Sequence, residues 1–83
     1  MDDQKTIHDL TLMLIYLTSW KEKREPARRA WKGYDFDVLN GLVDEGLLYD
    51  TSHRSKSTYL TPAGEGEAQA LLERYRSMSG EAD

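Results

Sequence analysis

Cysteine is absent from this chain of 83 residues, which rules out disulfides and thiolate metal sites and fits a reducing cytoplasm. The start, Met-Asp-Asp-Gln-Lys, lacks the basic cluster of a signal peptide. The apolar run Leu12 to Leu17 is too short to span a bilayer. A cytoplasmic protein without membrane contact is therefore expected. The residues of common catalytic sites are missing as well. His8 and His53 have no companion at metal-ligand spacing and read as surface residues, Gly64-Glu65-Gly66 lacks the Lys-Ser/Thr of a phosphate loop, and no serine sits in a Gly-x-Ser-x-Gly turn. Asp44 and Glu45 are neighbours that diverge by about 100° on a helix and cannot form a carboxylate pair. The expectation is a non-enzymatic protein with no cofactor, no metal and no small-molecule substrate.

Charge is missing selectively. The formal net charge is −4, which disfavours non-specific binding to polyanions. Between residues 21 and 32 stand Lys21, Lys23, Arg24, Arg28, Arg29 and Lys32 against Glu22 and Glu25. Between residues 35 and 50 stand Asp35, Asp37, Asp44, Glu45 and Asp50 with no basic residue among them.

What is present reads as one α+β domain over residues 1–83, mainly helical, with 79–83 as a frayed tail. A domain this short buries only about 60 to 65% of its unfolded surface, so a covering partner is expected. Gln4 to about Trp20 is expected to be a helix whose core stripe is Ile7, Leu10, Met13, Leu14, Leu17 and Trp20. Leu12, Ile15 and Tyr16 fall on its far side. Either the segment 21–34 folds over that second face, or Leu12, Ile15 and Tyr16 form a self-association surface. Pro26 is placed to open a short helix through Trp31, stopped by Gly33, with the Trp31 indole anchored in the core.

The next segment is organised by local signals. Asp35 is an N-cap, Phe36, Val38, Leu39, Leu42 and Val43 make one apolar face, and Gly46 is a left-handed stop that folds Leu47 back. The opposite arc holds Asp37, Asn40, Gly41, Asp44 and Glu45. Leu47 to Thr51 and Lys56 to Thr61 read as two strands of a ribbon. Thr61-Pro62 caps and opens a last helix to about Ser77, with Gly64, Ala68, Leu71, Leu72, Tyr75 and Met78 on its apolar side.

The residues Leu39, Leu42, Gly46-Leu47-Leu48 and Leu60-Thr61-Pro62-Ala63-Gly64 resemble the recognition helix, wing and following helix of MarR-like and PadR-like winged-helix regulators. The stretch Ala30-Trp31-Lys32-Gly33-Tyr34-Asp35-Phe36-Asp37 is similar to a small bacterial family of uncharacterised short proteins. Together they imply a winged helix-turn-helix-like fold: N-terminal helix, short helix, recognition-like helix, two-stranded wing and C-terminal helix.

The regulator resemblance implies DNA binding by dimers, with the helix from Asp35 to Glu45 in the major groove. That helix offers base edges only Asn40 among acidic neighbours, where reading helices carry Arg, Lys, Asn, Gln, Ser or Thr. Phosphate contacts would fall to Arg28, Arg29, Lys32, Arg54 and Lys56, with His53 beside them. Two functions follow as expectations. One is a protein-interaction module that forms homodimers or meets a protein partner. The other is a DNA-binding regulator using the wing and the basic segment 21–32.

Overall fold

The computed structural model describes residues 2–52 and 54–80; His53 and residues 81–83 of the expected tail lie outside them. The elements run α1 (Asp3–Leu17), β1 (Trp20–Lys21), β2 (Arg28–Trp31), α2 (Phe36–Asp44), β3 (Ser57–Tyr59) and α3 (Pro62–Met78). The three strands form one antiparallel sheet in the order β1-β2-β3. Trp20 pairs with Arg29, and Ala30 with Thr58.

The second half follows its local signals. The Asp35 carboxylate accepts from Asp37 N at 3.0 Å and Val38 N at 3.2 Å, capping α2. Gly46 has φ +75. Its N–H reaches Val43 O, and Leu47 N–H reaches Leu42 O, both at 2.9 Å, the paired bonds of a Schellman stop. At the start of α3, Thr61 Oγ1 accepts from Gly64 N at 2.9 Å, with Pro62 at the first helical position. The stop of α2 and the start of α3 then meet. Thr61 N–H donates to Leu47 O, and a Cβ added at Gly64 would lie 1.9 Å from that same oxygen. Gly64 therefore serves close backbone approach. Of the apolar side of α3, Gly64, Ala68, Leu71 and Leu72 are buried, while Tyr75 and Met78 overrun the core and are exposed.

The first expected wing strand shrinks to a single bridge, Leu48 with Leu60, supported by Tyr49 N–H to Tyr59 O at 3.0 Å. The second is β3, whose main partner is β2.

The larger differences lie in the first half. The expected short helix at Pro26 to Trp31 is a strand. Glu25, before Pro26, is a poor N-cap, and β3 offers an extended partner: Leu60 N–H bonds Arg28 O and Lys32 N–H bonds Lys56 O, both at 2.9 Å. The two-residue alternation of a strand then buries Ala30 and turns Trp31 outward, 60% exposed, so its expected place as a core anchor is corrected. The helix that would complete a helix-turn-helix before α2 is thus replaced by β2.

Helix α1 ends at Leu17, where the Thr18 and Ser19 hydroxyls donate back to Leu14 O and Tyr16 O, and Trp20 opens β1. Its orientation is the reverse of the expected one. Leu12 and Ile15 are fully buried, in one cluster with Ala30, Leu39, Leu42, Leu60, Ala68 and Leu71. Burial of each stabilises by roughly 1.5–3 kcal/mol. Polar contacts flank this face. His8 Nε2 stands 2.6 Å from Glu45 Oε2 beyond the end of α2, Gln69 Nε2 of α3 donates to Tyr16 Oη at 3.0 Å, and the Arg28 guanidinium of β2 lies 5.3 Å from the Tyr16 ring centre.

Candidate interaction surfaces

The rotation of α1 corrects the expected self-association surface. Leu12 and Ile15 are closed inside this chain's own core, and Tyr16 packs against it. The face turned outward is the stripe once expected to be core: Ile7 at 44%, Leu10 at 55%, Leu14 at 48% and Leu17 at 55% exposure. These residues recur at i, i+3, i+7 and i+10, the spacing of a helix–helix seam. The flanking positions carry Thr6, Thr11, Met13 and Thr18, none of them charged. The Thr6 and Thr18 hydroxyls donate to Asp2 O and Leu14 O, four residues back, which satisfies them locally.

The six residues proposed to touch nucleic acid divide between different surfaces. Arg28 points to the α1 side of the sheet, where its Nε donates to Ser19 Oγ at 2.6 Å and a terminal nitrogen to Ser19 O at 2.9 Å. Arg29 points the other way, donating from Nε to Ser57 Oγ at 2.9 Å and lying 5.5 Å from the Tyr59 ring centre. Lys32 Nζ donates to Thr51 Oγ1 and Ser52 O. Arg54 and Lys56 are exposed near the wing tip, and Asn40 is exposed on α2. Lys32 borders one hollow with Asn40 and another with Lys56. Three of the six therefore gather beside α2, while Arg28 and Arg29 lie on opposite faces of the sheet.

The hollow by Asn40 has an apolar floor of Leu39 and Leu48 and encloses about 50 Å³. That is room for a side chain; ligand pockets typically run to roughly 300–1,000 Å³. A wider groove of about 520 Å³ opens between α1 and α2. His8 and Lys5, which border it, are already engaged. Lys5 Nζ bonds Asp9 at 2.8 Å, and His8 stands between Asp9 and Glu45, so its expectation as a plain surface residue is corrected. Burial pushes the Asp9 carboxyl up, but hydrogen bonds from Lys5 and His8 outweigh it and hold the group below the usual aspartate range. No group of three or more His, Asp or Glu that could hold a metal occurs among the described residues, and none of their helices is long and apolar enough to cross a membrane.

The sheet carries a cluster that spacing in the sequence did not disclose. Trp20 and Trp31, diagonal neighbours on β1 and β2, have ring centres 5.1 Å apart. Beside them Tyr59 donates to Glu25 Oε2, which raises the Tyr59 pKa. The pattern could have been found only by recognising 20–31 as a hairpin.

The class defined by these features is a small α+β domain, with three helices and a three-stranded antiparallel sheet among the described residues and a half-exposed apolar stripe on its first helix. The chain belongs to the family described as a domain of unknown function, DUF6429, whose profile matches residues 3–78. It is similar to "Uncharacterized protein y4hR" of Sinorhizobium fredii (strain NBRC 101917 / NGR234), 36% identical over 72 residues, 87% of this chain and 90% of that protein. Membership of a family without assigned function agrees with the resemblance read from residues 30–37; neither match bears on the MarR-like and PadR-like likeness. No solved structure matches the chain.

Proposed function

We propose that this chain is a non-enzymatic protein-interaction module that associates with itself through the outer face of α1. One observation carries the proposal. Four large aliphatic side chains, Ile7, Leu10, Leu14 and Leu17, stand about half exposed along a helix whose other side is firmly packed. Water contact on such a stripe is costly, and its removal is the usual driving force of association. A second copy suits the stripe because its uncharged flanks create no repulsion between identical surfaces. In fold terms, α2, the Leu48–Leu60 bridge and α3 make a winged-helix-like unit in which β2 replaces the preceding helix.

Sedimentation from micromolar to millimolar concentration tests the proposal. The wild-type chain is expected to dimerise, and Leu10→Asp to remain monomeric with unchanged helical circular dichroism. A wild-type chain monomeric throughout that range would overturn it.

Duplex DNA binding is the second reading, favoured by the gathering of Lys32, Asn40 and Lys56 beside α2. It has to contend with Asp37, Asp44 and Glu45 on the same helix and its C-cap. A titration on duplex DNA is expected to show affinity that falls steeply with salt and with Lys56→Ala. No binding at low salt would remove this reading.

A further inference from the structure

Resting on self-association through α1, we infer that the second copy docks antiparallel, across a twofold axis between Leu10 and Leu14. Ile7 then meets the partner's Leu17, and Leu10 meets the partner's Leu14. In heptad terms Ile7 and Leu14 are a positions and Leu10 and Leu17 are d positions. The antiparallel register stacks each a residue on a partner d residue in four closed layers. The flanking e and g positions are Thr11 and Thr18, and Thr6 and Met13. They carry no charge pattern that would enforce a parallel pair.

The ends of the helix choose the direction. Asp3 lies one turn before Ile7 on the same face and is exposed. At the other end, Leu17 lines a groove together with Glu73 and Arg76 of α3. Neither Asp3 nor Arg76 has an ion pair among the described residues. Antiparallel docking brings Asp3 to the end where the partner's Arg76 stands, twice by symmetry, and opposes the two helix dipoles. Parallel docking sets Asp3 against the partner's Asp3 and aligns the dipoles. Exposed pairs of this kind add little affinity, but they separate two otherwise equivalent orientations. A seam of four layers is at the small end of specific interfaces, so the dimer is a reversible one.

The natural absence of cysteine makes disulfide trapping a clean test. In the inferred register position 10 faces position 14 of the partner. Two copies of position 10 are offset by four residues, about 6 Å along the axis, between helices roughly 8–10 Å apart. That is beyond disulfide reach. Leu10→Cys and Leu14→Cys, each oxidised alone, are expected to yield no more covalent dimer than a Lys23→Cys control, and their mixture to yield several-fold more. Asp3→Lys is expected to weaken dimerisation several-fold, and the double variant with Arg76→Glu to restore it.

Covalent dimer from Leu10→Cys alone would bring two copies of position 10 together, as a parallel pair or a shifted antiparallel one does, overturning the inferred register while leaving self-association standing. A wild-type dimer with no trapping in the mixture would place the seam elsewhere and overturn it too. A wild-type chain that sediments only as a monomer would overturn both the register and the reading beneath it.

Discussion

Leu14 and Ile15 are neighbours on one helix and nearly equal in size, yet one is 48% exposed and the other 0%. The contrast extends along α1: Leu12 and Ile15 find α2, α3 and β2 waiting, whereas Ile7, Leu10, Leu14 and Leu17 are left about half exposed. Hydrophobicity alone does not choose between two apolar faces. In the observed rotation His8 lies beside Glu45, and Tyr16 meets Gln69 and Arg28, at the margins of the buried face. The wider apolar stripe is left outside, available to a second copy.

The strongest way to break this contrast is to truncate both neighbours. Ile15→Ala should cost about 2–5 kcal/mol in urea unfolding, a large share of the stability of so short a chain. A loss well under that would mean the inner face is not the packed one. Gly64→Ala comes next, because a methyl cannot share space with Leu47 O. An expected loss of about 1–3 kcal/mol, measured the same way, would show that the core behind α1 depends on the α2–α3 joint.

A smaller effect tests the margins. Asp9 has a depressed folded-state pKa, so its contribution is present above the ordinary aspartate range and fades as pH falls through the lowered value, from about pH 4 downward. Asp9→Asn should flatten that part of the stability–pH curve and leave the neutral limb unaltered in shape. Smallest in stability is Leu14→Ala, expected within about 0.5 kcal/mol for the monomer, yet it should lower self-association measurably in sedimentation. Equal unfolding losses from Leu14→Ala and Ile15→Ala would erase the distinction.

The same contrast explains which parts of the fold were legible in the sequence. Asp35, Gly46, Thr61 and Pro62 act on backbone groups within four residues of themselves, so α2, its stop and the start of α3 could be read directly. Residues 20–31 could not, since a strand is stabilised by a partner far along the chain, here Thr58 and its neighbours, and no tight-turn dipeptide marks the hairpin. Which of the two apolar faces of α1 is buried was not legible for a related reason, since the elements that cover Leu12 and Ile15 come from distant parts of the chain. The basic residues of 21–32 do not share one surface, because strand alternation sends Arg28 and Arg29 to opposite sides and hydrogen bonding draws Lys32 toward Thr51.

Trp20 and Trp31 are the only two tryptophans in the chain, and they sit within coupling distance on different strands. Their optical transitions should therefore mix and give a paired dichroic band that vanishes when β1 and β2 part. The β1–β2 hairpin thus carries its own spectroscopic clock, allowing its opening to be timed separately from the melting of the helices without any added label.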